Sequence, residues 1–414
     1  MTEHFSCEIA VIGAGVVGLT TALALARDGR EVVLVDPNMP GSGASYGNAG
    51  TIADYAVLPV GTPEVLKSLP SLLFDRNSPL SILRPALPSL APWLARFARQ
   101  SLPGAARSNA FALAQLVASA NPGWQALAAS IGAETVLQQK GCLYLHETEA
   151  AFRAAGADLA LRKGMGVTGE LIGPNDLARL EPALPGGLSG ATLFPEAVFL
   201  SDPGLMMLHL AAAVEGAGVP HLSVRVDRLE RHFDGVSLHG PEYRLRARRV
   251  VLSAGAHSRD LARQAGDHIP LETERGYHVE WDMDAPLLSR PACPTARGFY
   301  LCPMAGRLRA AGTVELGGLT APPSPHRIAR LIDGARAIFP GLGQPDRDWM
   351  GFRPSLPDSL PVIGPSQAGA EVMYAFGHGH IGLTLAPITA RIVADLVAGR
   401  APEIDIAPYR AARF

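Results

Sequence analysis

A chain of 414 residues, 48% hydrophobic and 18% charged, is long enough and apolar enough for two substantial domains with buried cores. A formal charge of −2 and a pI of about 6.6 argue against a nucleic-acid partner. Cys7, Cys142, Cys293 and Cys302 lie far apart with no CxxC spacing, which fits buried thiols in a reducing compartment better than a disulfide framework or a metal site.

Glu8 to Ile12 reads as a buried strand that runs straight into Gly13-Ala14-Gly15-Val16-Val17-Gly18. Leu19 to Asp28 reads as a helix stopped by Gly29, and Glu31 to Val35 as a second strand ending on Asp36. This βαβ unit carries a GxGxxG turn. Gly13 permits the tight turn, Gly15 lets backbone approach a pyrophosphate, and Gly18 lets helix and strand pack closely. The helix N-terminus offers free N–H groups to phosphates, and Asp36 suits a ribose hydroxyl. The bland alternative is a glycine-rich turn in an ordinary α/β sheet with Asp36 as a solvated strand end. The N-terminus carries Glu3, His4 and Glu8 and enters the first strand directly, so no secretory leader is expected.

The run Pro40 to Gly50 is too glycine-rich for a helix and suits close approach to a flat ligand. A proline-rich stretch from Pro59 to Pro103 follows, with apolar clusters at Leu69–Phe74 and Trp93–Phe97. Helical patterns occupy 111–130 and 149–163, and Gly141 to Leu145 reads as a strand. Pro203 to Gly216 reads as a helix capped by Asp202. Ser223–Leu229 and Arg249–Leu252 read as strands, the latter entering the small-residue turn Ser253 to Ala256. Tyr243 to Arg248 alternates, so its arginines read as a solvated strand face. Residues 271–318 alternate as strands, and Pro387 to Gly399 reads as a helix. No other run approaches the ~20 apolar residues of a membrane-spanning helix.

The N-terminal fingerprint, Gly41-Ser42-Gly43-Ala44-Ser45-Tyr46-Gly47-Asn48-Ala49-Gly50, the turn after Val250-Val251-Leu252 and the run Gly377-His378-Gly379-His380-Ile381-Gly382-Leu383-Thr384 occur in that order. Together they resemble the FAD-dependent D-amino acid oxidase superfamily, most closely its bacterial D-amino acid dehydrogenase and D-hydroxyproline dehydrogenase branch. The resemblance implies an α/β fold: a Rossmann-like FAD-binding domain of the GR2/DAO type, and a second α+β substrate domain built on an antiparallel sheet. The FAD domain is expected to be discontinuous, from 1–58, 201–267 and 350–414, with 59–200 and 268–349 forming the substrate domain. It also implies that Gly13, Gly15, Val16, Val17, Gly18, Asp36 and Pro37 bind the ADP half. Ser45, Asn48 and Ala49 would line the ribityl and ring region. Val226, Ala254 and Gly255 would pack near adenine and pyrophosphate, and Gly379, His380, Ile381, Gly382 and Thr384 would close over the flavin. Some relatives attach FAD through a cysteine after the stretch matching Gly351-Phe352-Arg353. Pro354 and Ser355 follow here, so FAD is expected to be non-covalent.

Oxidation of an amino acid at Cα needs its carboxylate held and its Cα–H aimed at flavin N5. Arginine is the natural clamp, because its fork pairs bidentately and stays charged. The candidates are Arg353, just before the flavin-closing segment, and Arg307, which the resemblance places at the family's carboxylate arginine. Arg309 shares the strand parity of Arg307. Tyr277 is expected on a strand facing the site, and Tyr55 as a lid residue. His378 and His380 are expected to contribute backbone rather than a general base. The expected reaction is oxidation of a free D-amino acid or cyclic imino acid, with electrons passed to a quinone or another acceptor. Sarcosine, glycine or a 2-hydroxy acid are alternative substrates, and a flavin-binding subunit of a larger electron-transfer complex is an alternative role. A cytoplasmic protein is expected, with a peripheral inner-membrane contact through 66–97 set against ordinary core packing of that stretch.

Overall fold

The opening βαβ pattern is realised as strand Glu3–Ile12, helix Val16–Arg27 and strand Val32–Val35. Every residue of the second strand is buried, as expected of a parallel strand covered on both faces. The computed structural model describes residues 3–67, 78 and 80–414. In it Glu3–Ile12 lies between Val32–Val35 and Tyr243–Leu252 and runs parallel to both. Gly369–Phe376 continues the parallel order beyond Tyr243–Leu252, and two antiparallel strands, Gly235–His239 and Arg228–His232, extend the other part of the sheet. Tyr243–Leu252 is one strand with two characters. Its arginines alternate with buried Tyr243, Leu245 and Ala247, and then Val250–Leu252 are buried in succession.

The strand expected over 223–229 is split. His221–Leu222 pairs in parallel with Leu34–Val35, whereas Arg228–His232 pairs antiparallel with Gly235–His239. One segment cannot serve both neighbours, so the chain turns between them. The closing helix also starts earlier than Pro387 suggested, spanning Gly382–Val397. Pro387 cannot donate to the Leu383 carbonyl, and the Trp124 indole N–H takes that acceptor at 2.8 Å. Helices Pro103–Val117 and Ala120–Ser130 share the core of the closing helix. That stretch, expected in the substrate half, therefore packs on the nucleotide side. The closing helix is apolar because it is buried there, among residues of the same core.

The second sheet is mainly antiparallel. Glu272–Asp282 lies between Arg347–Ser355 and Arg307–Leu316, and Phe299–Met304 pairs on the far side of Arg307–Leu316. Ala292–Pro294, Cys142–His146, Gly190–Phe194 and Glu170–Ile172 continue it outward. The boundary expected at 350 falls inside strand Arg347–Ser355, which belongs to this sheet along its whole length. Helix Pro325–Ile338 covers one face, with Leu331, Ala335 and Ile338 against Tyr277, Val279 and Leu308. The other face carries Glu274, Gly276, His278 and Glu280, by the two-residue strand period. The Leu69–Phe74 cluster lies outside the described residues. The described helix Leu87–Gln100 turns Leu90, Trp93 and Phe97 inward onto Leu316 and leaves Arg96 and Arg99 exposed. All four cysteines are free and buried.

Candidate active site

The three fingerprint glycines do different work. Gly13 has φ +103°, and a Cβ there would lie 2.5 Å from the Ser253 carbonyl oxygen. A Cβ on Gly18 would lie 1.8 Å from the Gly13 carbonyl oxygen, so helix and turn touch there. At Gly15 the nearest atom is the Ser45 Oγ, at 3.2 Å. Protein thus closes the turn at Gly13 and Gly18 and leaves it open at Gly15, which is the cradle a pyrophosphate needs. Ser45 reaches the same place from the glycine run and accepts from the Val16 N–H at 2.8 Å. Asp36 accepts from the Ala14 and Asn38 N–H groups, each at 2.8 Å. Ala254 and Gly255 lie on the turn beneath, where the Ser253 hydroxyl bonds the Ile12 carbonyl at 2.9 Å. Val17 and Val226 are half-buried and Pro37 is exposed at the rim. The residues present fit the ADP portion of a dinucleotide.

The glycine run is pinned from the antiparallel sheet. Arg309 Nη1 donates to the carbonyls of Tyr46 at 3.0 Å and Asn48 at 2.6 Å, and His278 Nδ1 donates to that of Gly47 at 2.9 Å. Glu280 anchors Arg309 through Nε at 2.8 Å. Burial raises and flanking arginines lower the Glu280 carboxyl, and the arginines win, holding it at about 2. His278 is pushed down to about 4, first by burial and then by the Arg309 charge, so it is neutral. Trp349 stacks on His278 at 5.2 Å and lies so close to Gly47 that a Cβ there would be 2.1 Å from the indole. Within the run, Asn48 bonds the Ser45 carbonyl and the Gly50 N–H, with half-buried Ala49 between. Thr384 accepts from the Ala53 N–H at 3.0 Å, tying the run's exit to the closing helix.

Arg353, Glu274 and Tyr300 share the sheet face that carries these pins. Arg353 is directly opposite Glu274, and its guanidinium lies over Gly276. Nη1 donates to the Thr313 carbonyl at 2.9 Å; the remaining donors have no hydrogen-bond partner among the described residues. Tyr300 is in register with Ala311, itself opposite His278. The Tyr300 hydroxyl meets those of Tyr144 at 3.1 Å and Tyr55 at 3.3 Å. Across from them the turn Gly379–Ile381 carries His380, which has an open face although surrounding protein pushes its imidazole down to about 4. Gly379 supplies φ +55°, Ile381 is buried, and a Cβ on Gly382 would touch His378 at 3.4 Å. His378 is buried, held by Thr389 at 3.0 Å and pushed down to about 3, so it is a neutral packing residue. A small cavity of about 20 Å³ lies against His380, Glu274 and Ser355.

The expected side chains separate. Arg353 is on the site face with donors to spare. Arg307 is committed to Glu280 at 2.9 Å and Asp202 at 3.0 Å, and Arg309 to the pinned run. Tyr277 is corrected: it faces the covering helix, where its hydroxyl donates to Glu315 at 2.7 Å and accepts from the Ser324 N–H at 3.1 Å. Tyr55 is corrected from lid to core, fully buried and stacked on Phe194 at 4.4 Å. Tyr300, Glu274, His278 and Trp349 were not anticipated. Period-two alternation along Glu272–Asp282 would have flagged Glu274 and His278 in place of Tyr277.

Residues 8–396 match the family model described as DAO, FAD dependent oxidoreductase. The chain is 35% identical over 420 residues to a D-amino-acid oxidase of Bradyrhizobium diazoefficiens, covering 98% of this chain and 99% of the relative. It is 32% identical over 434 residues to D-amino acid dehydrogenase 2 of Ralstonia nicotianae, covering 98% and 100%. A crystal structure of glycine oxidase from Geobacillus kaustophilus superposes with a TM-score of 0.78 at 24% identity, covering 99% of each chain, and shares the fold. With the open cradle at Gly15 and a family match over nearly the whole length, the chain belongs to the DAO family of FAD-dependent oxidoreductases.

Proposed function

We propose that the protein oxidises a free D-amino acid, or a cyclic D-imino acid of the proline or hydroxyproline type, at Cα to the imine. Water then hydrolyses an open imine to the 2-oxo acid and ammonia. The observation that carries this reading is Arg353: a half-buried guanidinium beside the flavin-closing turn, with one donor spent on Thr313 and the others available. Its fork suits a carboxylate. Bound FAD supplies the two-electron acceptor for the hydride leaving Cα. Tyr300 offers a hydroxyl on the same face. His380 is neutral at pH 7 and adds no charge to repel an ammonium. Enclosure disfavours charged groups and so helps a substrate that arrives as the ammonium give up its proton before the hydride leaves Cα.

We further assign the electrons to a quinone or another non-oxygen acceptor, in a cytoplasmic setting. Exposed Leu87, Leu102 and Phe111 beside exposed Arg99 and Arg107 suit peripheral contact with an anionic lipid surface. Failure to co-sediment with anionic liposomes removes that contact. The activity is tested with a panel of D- and L-amino acids, sarcosine, glycine and 2-hydroxy acids, using a dye acceptor and anaerobic flavin bleaching. D-amino or D-imino acids should bleach the flavin fastest. Arg353→Ala should lower kcat/KM by roughly 30- to several-thousand-fold, with little rescue by Lys. Preference for sarcosine or a 2-hydroxy acid, or no turnover by the isolated chain, would overturn the reading.

A further inference from the structure

Two arginine–glutamate pairs share one face of the antiparallel sheet, buried except for a half-buried Arg353, and they are built in opposite ways. Arg309 and Glu280 form a closed pair, with Nε and Nη2 each 2.8 Å from the same carboxylate oxygen. Arg353 and Glu274 stand open. They are directly opposed across neighbouring antiparallel strands, where facing Cβ atoms lie ~4.5–5.5 Å apart. Yet no ion pair closes between them among the described residues. Arg353 donates to the Thr313 carbonyl at 2.9 Å, and Glu274 lines a cavity with Ser355, whose hydroxyl favours its charged form. Burial pushes the Glu274 carboxyl up and the Arg353 guanidinium down, and each only partly offsets the shift in the other. A closed pair moves the other way, as Glu280 does.

Keeping opposite charges desolvated, adjacent and unjoined is unfavourable unless something else completes them. We propose that this split pair is a receptor for a zwitterion, in which Arg353 takes the carboxylate and Glu274 the ammonium of a free α-amino acid. The assignment rests on the amino acid reading above and adds the residue that recognises nitrogen. Carboxylate and ammonium sit on one carbon, so a single ligand satisfies both charges at once. Glu274, Ser355 and His380 line the cavity of about 20 Å³, and space of that size holds about one water that a substrate amine can displace. Because His380 is neutral, it adds no second cation beside Glu274 to compete with the ammonium. A secondary amine such as a cyclic imino acid keeps its charge and is accepted. A 2-hydroxy acid presents no cation and is disfavoured at Glu274.

The test uses the FAD-loaded enzyme, Glu274→Gln and three ligands. These are the best amino acid, its 2-hydroxy analogue and a plain aliphatic carboxylate, with binding read from the flavin absorbance. In Glu274→Gln, the amino acid should weaken roughly ten- to a hundred-fold in kcat/KM. The plain carboxylate should bind as well or better, because a repelling charge is gone, and preference over the hydroxy acid should shrink. If amino acid and plain carboxylate weaken in parallel, or neither changes, Glu274 does not recognise the ammonium and the proposal fails. Loss of carboxylate binding in Arg353→Ala tests the underlying reading separately. Should Glu274→Gln not retain FAD, Ser355→Ala removes only the hydroxyl that favours the charged form of Glu274. The same split between amino acid and plain carboxylate, smaller in size, is then expected, and a parallel change is the refuting result.

Discussion

Gly276→Ala adds one methyl group and places it against Arg353. An ideal Cβ at this position would lie 2.4 Å from the Arg353 Cζ and Nη2 and 2.6 Å from Nη1. Ordinary carbon contacts begin near ~3.5 Å, so the guanidinium must retreat by about 1 Å. Gly276 does not use the left-handed region, so alanine fits the strand backbone, and the group that must yield is the far end of a flexible side chain. Folding should therefore change little, while the proposed carboxylate clamp moves. A misplacement of about 1 Å in a positioning group costs on the order of a hundredfold in rate. Steady-state kcat/KM for the best amino acid with a dye acceptor should fall by about that factor, with FAD content and thermal midpoint close to parent. Parent-like efficiency would show that Arg353 is not held there by Gly276, and the clamp geometry would be wrong. Loss of FAD instead of activity would place the guanidinium on the cofactor and refute the assignment as well.

Tyr277→Phe and Arg307→Ala should leave kcat/KM within a few-fold of parent while lowering thermal stability, because both side chains serve internal partners; a collapse in kcat/KM at normal FAD content would restore either to the site. Gly15→Val should yield soluble, colourless protein, since a larger side chain fills the opening at that position, and a normal flavin spectrum would show the cradle is unused. Burial holds His278 near 4 and His378 near 3, below the ordinary value of 6.5. The unfolded chain therefore takes up protons first as pH falls below about 6.5, and stability should drop by a few kcal/mol toward about pH 4. Asp54, raised to about 6 by burial, works in the opposite direction between about 4 and 6 and offsets part of this. Urea midpoints that rise between about pH 6.5 and 4 would contradict the balance.

The nucleotide half was legible because its signals are local. A glycine that needs φ +103° and a helix that follows it at once leave their mark in consecutive residues. The closing helix was misjudged at its start because Pro387 reads as a first-turn residue, and only the tertiary partner Trp124 makes it tolerable within the helix. The substrate side was harder. Tyr277 and His278 are neighbours in sequence and lie on opposite faces, so an assignment one residue out selects the wrong layer. Arg307 and Arg309 look equivalent by parity. Their division between a half-buried ion pair and a pinned loop depends on Asp202 and Asn48, which are remote in the chain. The open relation of Glu274 to Arg353 goes with the bond from Arg353 to Thr313, and no pattern along the strand reports it.

The carbonyls of Tyr46, Gly47 and Asn48 are held by Arg309 and His278, so the run expected to line the flavin takes part of its shape from the other sheet. That part of its order is borrowed. FAD binding and the integrity of the antiparallel sheet then become linked equilibria: whatever loosens the strands loosens the cofactor, and added FAD tightens the strands. The yellow colour of a purified variant is thus a gauge of the sheet that pins the run. A library of substitutions at buried positions of that sheet can be ranked for structural damage by eye.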